Sequence, residues 1–373
     1  MKKNNLSNRF LLLFTLLLFI SSACVEQKVE LIALVKNEAD EPAKGLKGKL
    51  QNKDKFQTAW HFKRATTKEN GLLTLKVKPN QSYILEIKGK QGAGRIFLPP
   101  EKFSDTIHIT YPVKEKIVFL HNNDLHFDLN HLEEFTQKVG EIRAKYDDVY
   151  LFNAGDIFVR HPHKWIENGT LKDTAWYGER AMFMINKMNE LGYDLMTFGN
   201  HELDYIGNYT RQALEKARFP FLAANIEITT DKLPPVDPYS ILETSTLRRI
   251  AVLGLSTNSA KKEGIVELDL TETIDKYISL KDSADVFLVL SHRGLNADKT
   301  IAEKFPQFDA IIGGHSHDLL EKAIFINSVL IAQAGGNPHV VSDDHPVYLG
   351  IVIFTLENGK ISEKDGCVIR IDD

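Results

Sequence analysis

Hydrophobic and polar positions alternate with a period of two in several short stretches of the first hundred residues. The stretches 29–35, 72–77 and 83–87 show this alternation, and turn-forming residues such as Pro79-Asn80 separate them. Short alternating strands between turns predict a small antiparallel β-sandwich. Nothing in this segment indicates catalysis, so we interpret it as a spacer or contact module.

From Lys116 onward, apolar strand-like runs alternate with amphipathic stretches that have helical periodicity. The runs end at Asn123, Ala154, Phe198, Leu255, Leu290 and Ile312. The amphipathic stretches include 132–146, 179–191 and 271–280. Strands that alternate with helices predict an α/β fold, in which chemistry collects just beyond the carboxyl ends of the strands.

The first 23 residues have the pattern of an export signal. A basic start precedes an apolar run from Phe10 to Ile20, and small residues and Cys24 follow it. The run is too short for a membrane span, which needs about 20 apolar residues. Small residues directly before a cysteine resemble the lipobox of bacterial lipoproteins, and ordinary cleavage near Ala23 is the alternative. We expect lipidation of Cys24 and attachment to a membrane of the bacterial cell envelope, on the periplasmic face or the cell surface.

Charge is distributed unevenly along the 373 residues. Residues 24–113 carry 16 basic and 10 acidic side chains, whereas the residues after them carry 27 basic and 40 acidic ones. An acidic body of this size repels polyanions unless bound cations reverse the local field. We therefore expect no nucleic-acid polymer as a partner. The two cysteines cannot form a disulfide framework or a Cys-rich zinc site.

Five of the predicted strand ends carry side chains of the kind that bind metals. Asp124 and His126 are two residues apart after a strand, so both project to the same side of an extended chain. The other candidates, in chain order, are Asp156, Asn200, His201, His292, His315 and His317. Each cluster alone fits a turn, a helix cap or a solvated loop. Five clusters at strand ends predict a shared metal site.

The order of these motifs resembles that of the calcineurin-like metallophosphoesterases. The motifs are D-x-H, G-D, G-N-H-E, a His before Arg-Gly, and G-H-x-H, spread over about 117–357. The segments YGERAMFMINKMNELGYDLMTFGNHELD and AQAGG are similar to the branch of 5′-nucleotidases, 2′,3′-cyclic phosphodiesterases and UDP-sugar hydrolases. The resemblance implies a four-layer α/β sandwich over 114–373, with two mixed sheets face to face and helices outside. The preceding segment, 24–113, loosely resembles the carboxypeptidase regulatory-like β-sandwiches.

The resemblance also implies two divalent cations, with Zn, Mn or Fe suited to imidazole and carboxylate ligands. One cation would bind Asp124, His126 and His317. The other would bind Asn200, His292 and His315, and Asp156 would bridge the two. Two such cations with two carboxylates and one hydroxide leave a formal charge of +1, which suits a phosphomonoester dianion.

In the same family pattern, His201 is the general acid and Asp204 orients it. A metal-bound hydroxide would attack phosphorus in line, and Asn200 would help to stabilise the developing charge. A separation of three residues would bring His201 and Asp204 onto one face of a helix, if a helix begins there.

Two features depart from the family pattern. Phe127 occupies a position that is often Gly, and the chain ends soon after Lys360, where typical secreted 5′-nucleotidases continue into a base-stacking domain. Trp165, Trp176 and Tyr177 could replace that stacking platform, although loop aromatics more often pack locally. We expect a phosphomonoesterase acting on nucleotides. A cyclic-nucleotide phosphodiesterase or a nucleotide-sugar hydrolase is the alternative, and an inactive anion-binding or adhesion lipoprotein is the alternative of another class.

Overall fold

The computed structural model describes residues 28–55, 62–90, 92–128, 131–158, 166–167, 170–171, 174–204, 207–257, 262–337 and 346–371. The chain divides into two compact units between Val113 and Lys114. The expected signal segment and Cys24 lie outside the described residues. Among the helices in those ranges, none is both long and apolar enough to cross a membrane.

Two sheets with a shared apolar core form the first unit. Its strands are β1 (Val29–Asn37), β2 (Lys47–Asn52), β3 (Phe62–Thr66), β4 (Leu72–Val77), β5 (Tyr83–Gly89), β6 (Gly92–Leu98) and β7 (Ile107–Tyr111), with 3₁₀ turns at Lys53–Lys55 and Pro100–Phe103. The strand orders are β4-β1-β7 and β3-β2-β5-β6. Leu31 and Leu75 of one sheet pack with Leu85 of the other. The sandwich differs from the prediction in one respect, because β1 and β7 are parallel.

The second unit contains two six-stranded sheets and several helices. The strands are β8 (Lys114–Asn122), β9 (Asp148–Asn153), β10 (Ile166–Glu167), β11 (Thr170–Leu171), β12 (Leu195–Thr197), β13 (Phe221–Leu222), β14 (Ile226–Ile228), β15 (Tyr239–Glu243), β16 (Arg249–Leu255), β17 (Ile265–Glu267), β18 (Val286–Ser291), β19 (Ala310–Gly313), β20 (Ile324–Ile326), β21 (Val329–Gln333), β22 (Tyr348–Glu357) and β23 (Lys360–Arg370). The helices are α1 (Leu132–Lys145), α2 (Thr174–Leu191), α3 (Asn208–Leu214), α4 (Leu270–Tyr277) and α5 (Leu295–Lys304), with a 3₁₀ segment at Ile278–Ser283.

Both large sheets are mixed. The first has the strand order β13-β12-β9-β8-β22-β23, in which β8, β9, β12 and β13 are parallel, β22 is antiparallel to β8, and β23 is antiparallel to β22. The second has the order β15-β16-β18-β19-β21-β20, in which the four central strands are parallel. The parallel arrangement brings the carboxyl ends of neighbouring strands to one edge of each sheet.

Alternation along the strands separates the second unit into layers. In β8, Phe119 points into the core between the two sheets, where it packs with Leu288, whereas Leu120 points into a second core that includes Phe135 of α1. On the far side of the other sheet, Phe287 packs with helix residues of a third core. The sheets are therefore buried on both faces, and the predicted four-layer α/β sandwich is confirmed.

The observed helices lie close to the predicted amphipathic stretches. The stretch 132–146 corresponds to α1, and the stretch 179–191 forms the carboxyl-terminal part of the longer α2. The stretch 271–280 contains α4, which continues into the 3₁₀ segment. The predicted strand ends agree with the structure to within one residue, so the loops that carry the candidate ligands begin where the sequence placed them.

Candidate metal centre

The loops after five parallel strands bring the candidate ligands together. The loops of β8, β9 and β12 come from one sheet, and those of β18 and β19 come from the other. The side chains that these loops supply are Asp124, His126, Asp156, His201, His292, His315 and His317, which form three overlapping clusters.

The first cluster contains Asp124, His126 and His317. Nε2 of His317 lies 3.2 Å from Oδ1 of Asp124 and 3.2 Å from Nε2 of His126. Nε2 of His126 lies 4.0 Å from the same Asp124 oxygen. Asp124 and His126 are fully buried. Three ligand atoms this close to one another fit a single cation.

Asp156 belongs to both of the other clusters. One of them contains Asp156, His292 and His315, and the other contains His126, Asp156 and His201. Oδ2 of Asp156 lies 3.0 Å from Nε2 of His292 and 3.7 Å from Nε2 of His201. Asp156 thus adjoins His126 of the first cluster and His292 on the other side, as a ligand shared by two cations would.

Three buried ligand atoms lack a hydrogen bond within the described residues. They are Oδ1 of Asp124, Oδ1 of Asn200 and Nε2 of His292. Oδ1 of Asp124 lies 3.2 Å from Nε2 of His317, and Nε2 of His292 lies 3.0 Å from Oδ2 of Asp156. Both contacts have angles outside the range that a hydrogen bond requires. An unsatisfied buried polar atom destabilises the fold. All three atoms belong to residues expected to bind metal, so the residues present fit a divalent-cation site.

The ligands adopt an uncommon backbone conformation. The φ angles of Asp124, His126, Asp156, His315 and His317 are 52°, 49°, 57°, 76° and 55°. Left-handed non-glycine residues are uncommon and cost about 1–3 kcal/mol each, and they concentrate at functional sites. Hydrogen bonds hold these turns, since the backbone N–H of His315 donates to Oδ2 of Asp124 over 2.9 Å. Asp124 and His126 therefore converge from a left-handed turn and not from the extended chain that the sequence predicted.

Backbone carbonyls orient two of the imidazoles. Nδ1 of His126 donates to the carbonyl of Phe158 over 3.0 Å, and Nδ1 of His292 donates to the carbonyl of Ala154 over 2.6 Å. Each contact leaves Nε2 as the ring nitrogen that faces the site. Burial lowers the pKa of His126 to about 4, which favours the neutral, metal-binding form.

The site has an excess of negative potential. Burial opposes a charge on His292, but the carboxylate of Asp156 outweighs it and raises the pKa of His292 to about 10. Conversely, burial opposes ionisation of Asp156, while the charge of His292 lowers the pKa of this carboxyl below its usual range. The same carboxylate charge of Asp156 would attract a metal cation in place of the His292 proton.

Glu202 has a positioning role that the sequence did not indicate. Its carboxylate accepts backbone hydrogen bonds from Asp156 over 2.9 Å, from Ile157 over 2.9 Å, from Phe158 over 3.2 Å and from Gly199 over 2.7 Å. Two loops are thereby fastened to one buried side chain. The available signal was the acid of the G-N-H-E motif, directly after His201.

The AQAGG segment lies against the first cluster. Oδ1 of Asn123 accepts a hydrogen bond from the backbone N–H of Ala334 over 3.0 Å, and its amide group donates to Oδ2 of Asp124 over 2.6 Å. Gly336 has φ 155°, and a Cβ atom there would lie 2.9 Å from Cβ of Asp124 and 2.9 Å from Cγ of His317. Only glycine lets this backbone approach the ligands so closely.

His201 and Asp204 form a hydrogen-bonded pair. Nδ1 of His201 donates to Oδ2 of Asp204 over 2.5 Å, which leaves Nε2 facing Asp156. Residues 201–204 form a turn rather than the start of a helix, so the pair arises from the turn. Nζ of Lys262 lies 2.9 Å from the carbonyl oxygen of Asp204 and 3.5 Å from its Oδ1. Burial opposes protonation, but the Asp204 hydrogen bond and the charge of Asp156 raise the pKa of His201.

The aromatic residues near the site pack against one another. Tyr177 is 1% exposed, and its ring centre lies 5.0 Å from that of Phe127. The ring centres of Trp176 and Phe127 are 6.1 Å apart. Phe127 itself has φ 65°. Tyr177 therefore packs locally and offers no stacking surface, while Trp165 lies outside the described residues.

Two imidazole–carboxylate groups that share Asp156, at the strand ends of a four-layer α/β sandwich, define a metal-dependent phosphoesterase. The chain belongs to the calcineurin-like phosphoesterase family, whose model matches residues 117–319.

Curated relatives are similar to this chain in sequence, and a solved structure is similar to it in fold. The trifunctional nucleotide phosphoesterase protein YfkN of Bacillus subtilis is 29% identical over 262 residues, which cover 58% of this chain and 17% of that protein. A 2′,3′-cyclic-nucleotide 2′-phosphodiesterase/3′-nucleotidase of Yersinia enterocolitica is 33% identical over 202 residues, which cover 46% of this chain and 31% of that protein. A 5′-nucleotidase precursor from Thermus thermophilus superimposes with a TM-score of 0.54 at 23% identity, covering 68% of this chain and 54% of that chain. This chain spans at most about half the length of these proteins.

Proposed function

We propose that the protein hydrolyses phosphate monoesters, with nucleotides as substrates, by the use of two divalent cations. One observation carries the proposal. Buried ligand atoms from both sheets meet beside His201, and some of them have no hydrogen-bond partner within the described residues. A phosphate dianion is attracted to such a site when cations neutralise its carboxylates. The nucleotide substrates named for the relatives support the choice of substrate class.

Each candidate ligand has an assigned cation. The first cation would be held by Asp124, His126 and His317, the second by Asn200, His292 and His315, and both by Asp156. When bound, the cations would supply Lewis acidity toward the phosphoryl oxygens and lower the pKa of bound water.

His201 would protonate the leaving oxygen. Its Nδ1 is committed to Asp204, so Nε2 is the nitrogen that can donate a proton toward the site. The Asp204 hydrogen bond and the charge of Asp156 raise the pKa of His201 against the effect of burial, which favours the protonated ring. The amide group of Asn200 would stabilise charge that develops on the phosphoryl oxygens. Glu202 acts as a positioning residue that holds the loops of Asp156 and Gly199 together.

Hydrolysis of 2′,3′-cyclic nucleotides is the second candidate function. It is favoured by the relatives from Yersinia enterocolitica and Salmonella typhimurium, both of which are named as cyclic phosphodiesterases that also act on 3′-nucleotides. A cyclic diester carries one negative charge and a monoester carries two, so charge and leaving group distinguish the two reactions. An inactive anion-binding lipoprotein is less well supported, because every predicted ligand type is present.

A phosphate-release screen tests the proposed function. The purified chain should release phosphate from nucleoside monophosphates in the presence of Zn, Mn or Fe, and a chelator should abolish release. Sugar phosphates complete the phosphate-release panel, and cyclic nucleotides and nucleotide sugars, whose first hydrolysis leaves the phosphate esterified, are followed by chromatography of their products. Asp156→Asn should be inactive, whereas Asp147→Asn, which alters an exposed carboxylate, should match the wild type. Turnover by Asp156→Asn at the wild-type rate, or no turnover of any ester by the wild type, would refute the proposal.

We further propose that residues 1–23 are a signal peptide and that lipid on Cys24 attaches the protein to the bacterial envelope. Support comes from the sequence pattern, in which small residues and a cysteine follow a short apolar run. In this arrangement, residues 24–113 form a module between the anchor and the phosphoesterase domain of residues 114–373.

A further inference from the structure

One face of the four-stranded sheet in the first unit is strongly cationic. A concavity of about 590 Å³ on this face is lined by four cationic side chains. They are Lys47 and Lys49 of β2, Arg64 of β3 and Lys88 of β5. We call these four residues the cationic face. Three of them are exposed, and Lys49 is half-buried.

The cations of this face are arranged as like-charged pairs. Lys47 stands directly opposite Lys88 in the register of β2 and β5, and Lys49 stands between Arg64 of β3 and the acidic Glu86 of β5. Like charges directly opposite each other destabilise a sheet. The ring of Phe62 holds one pair in place, since Nζ of Lys49 lies 5.0 Å and Cζ of Arg64 lies 4.3 Å from its centre. The fold thus maintains a repulsive arrangement.

Protection of a sheet edge does not account for this arrangement. Lysines are common on edge strands, where they discourage pairing between molecules. The sheet order is β3-β2-β5-β6, so β2 and β5, which carry three of the four cations, are central strands. The neighbouring acid, Glu86, pairs with Arg95 over 3.4 Å. An external anion would offset the repulsion that remains.

We propose that the cationic face binds the anionic phospholipid headgroups of a membrane surface. The three adjacent strands that carry these cations extend about 10 Å across, and same-side residues lie about 7 Å apart along a strand. This gives a two-dimensional array of cations that suits several headgroups in a plane. Basic clusters at a membrane surface bind anionic lipid in this way.

The start of the described chain lies near β3 in this unit. Lys28 is the first described residue and precedes Val29, which pairs with Val77 of β4, and Nζ of Lys63 on β3 donates to the carbonyl of the adjacent Lys76. Cys24 is four residues before Lys28, a reach of about 14 Å for an extended chain. A lipid on Cys24 would therefore bring the membrane within reach of β3. The anchor would supply attachment, and the cationic face would orient the unit.

Vesicle co-sedimentation of the Cys24→Ser chain measures this binding without the covalent lipid anchor. The chain should sediment with vesicles of equal parts phosphatidylglycerol and phosphatidylcholine, less so as salt rises, and should not sediment with pure phosphatidylcholine. A cation near an anionic surface changes the partition coefficient about fivefold. Adding Lys47→Gln, Lys49→Gln and Arg64→Gln together should therefore weaken binding at least ~10-fold.

A charge-matched variant separates the face from net charge. Lys36→Gln, Lys44→Gln and Lys102→Gln remove the same charge elsewhere in the unit, two of them from pairs with Asp40 and Glu69, and binding should persist. Thermal unfolding of both variants establishes that each is folded, because the face variant loses like-charged pairs and also the contacts of Lys49 and Arg64 with Phe62. Equal binding to neutral vesicles, or unchanged binding by a folded face variant, would overturn the proposal. Binding to soluble dextran sulfate without vesicle binding would assign the face to an acidic polymer instead. None of these outcomes depends on phosphoesterase activity.

Discussion

Nδ1 of His201 donates a 2.5 Å hydrogen bond to Oδ2 of Asp204, in a turn that follows β12. The contact fixes one ring nitrogen and leaves the other, Nε2, 3.7 Å from Oδ2 of Asp156. A histidine held in this way can deliver a proton to one place. The proposed general-acid role depends on this relationship.

Replacement of His201 should affect substrates according to their leaving group. An alkoxide needs a proton as the P–O bond breaks, and such acid catalysis contributes about 10²–10⁴-fold, whereas nitrophenolate leaves without that help. His201→Asn should therefore lose about 10²–10⁴-fold of kcat on a nucleoside monophosphate while largely sparing p-nitrophenyl phosphate. Asp204→Asn should show a smaller loss with the same selectivity. His108→Asn, an exposed histidine of the first unit, is the control. Equal losses on both esters, with metal content unchanged, would leave His201 as a charge stabiliser only.

Removal of Asp156 should affect both cations. Because Asp156 adjoins His126 and His292, Asp156→Ala should lower the bound metal from two equivalents toward less than one, whereas His126→Ala should chiefly weaken one site. Elemental analysis after dialysis measures the stoichiometry. If Asp156→Ala retains two tightly bound ions, Asp156 is not a bridging ligand.

Glu202→Gln should loosen the loops of the metal centre. The amide group introduced by this change would face backbone N–H donors, so at least one donor would lose its acceptor at about 1–3 kcal/mol. We expect a loss of this order in the free energy of unfolding, measured by urea denaturation with chelator, and weaker metal binding. Glu190→Gln, at an exposed carboxylate, should change neither quantity. Wild-type stability and metal affinity in Glu202→Gln would contradict the positioning role.

His121 should make the stability of the protein depend on pH. It is buried in β8, neither ring nitrogen has a hydrogen-bond partner within the described residues, and burial lowers its pKa to about 3. The pKa of His121 is lower in the folded state than its unfolded value of 6.5, so the unfolded state binds a proton more readily. The neutral ring therefore imposes no loss of stability above pH 6.5, and the free energy of unfolding falls as the pH decreases from 6.5 toward 3. When the pH falls from 8 to 5, the free energy of unfolding of the wild type should decrease by about 2 kcal/mol more than that of His121→Leu. Urea unfolding with chelator at both pH values measures this difference, and identical losses would show that His121 does not contribute.

Lipidation of Cys24 should control partitioning into detergent. The wild type should enter the detergent phase of a Triton X-114 extract, because acyl chains bury many methylenes, and Cys24→Ser should stay in the aqueous phase. Cys367→Ser is the matched control, since Cys367 lies exposed in β23. The same partitioning of the wild type and Cys24→Ser would remove the anchor.

The positions of the candidate ligands followed from the sequence because local rules determine them. An apolar run identified β8, and the polar residues that follow it, Asp124 and His126, had to lie beyond its carboxyl end. The same reasoning located Asp156 and His292 after β9 and β18. A strand buried on both faces has no other place for such side chains.

Contacts between distant segments were decided only by the tertiary structure. His126 and His317 are 191 residues apart, and Glu202 reaches backbone N–H groups more than 40 residues away. The alternation along β2 and β5 did not reveal that Lys47 faces Lys88, because strand register is set by the packing of the whole sheet. The sequence likewise allowed Tyr177 to be either a base-stacking residue or a core residue, and its contact with Phe127 in the structure makes it a core residue. Period and motif depend on neighbours along the chain, whereas burial, register and the convergence of ligands depend on which apolar faces pack together.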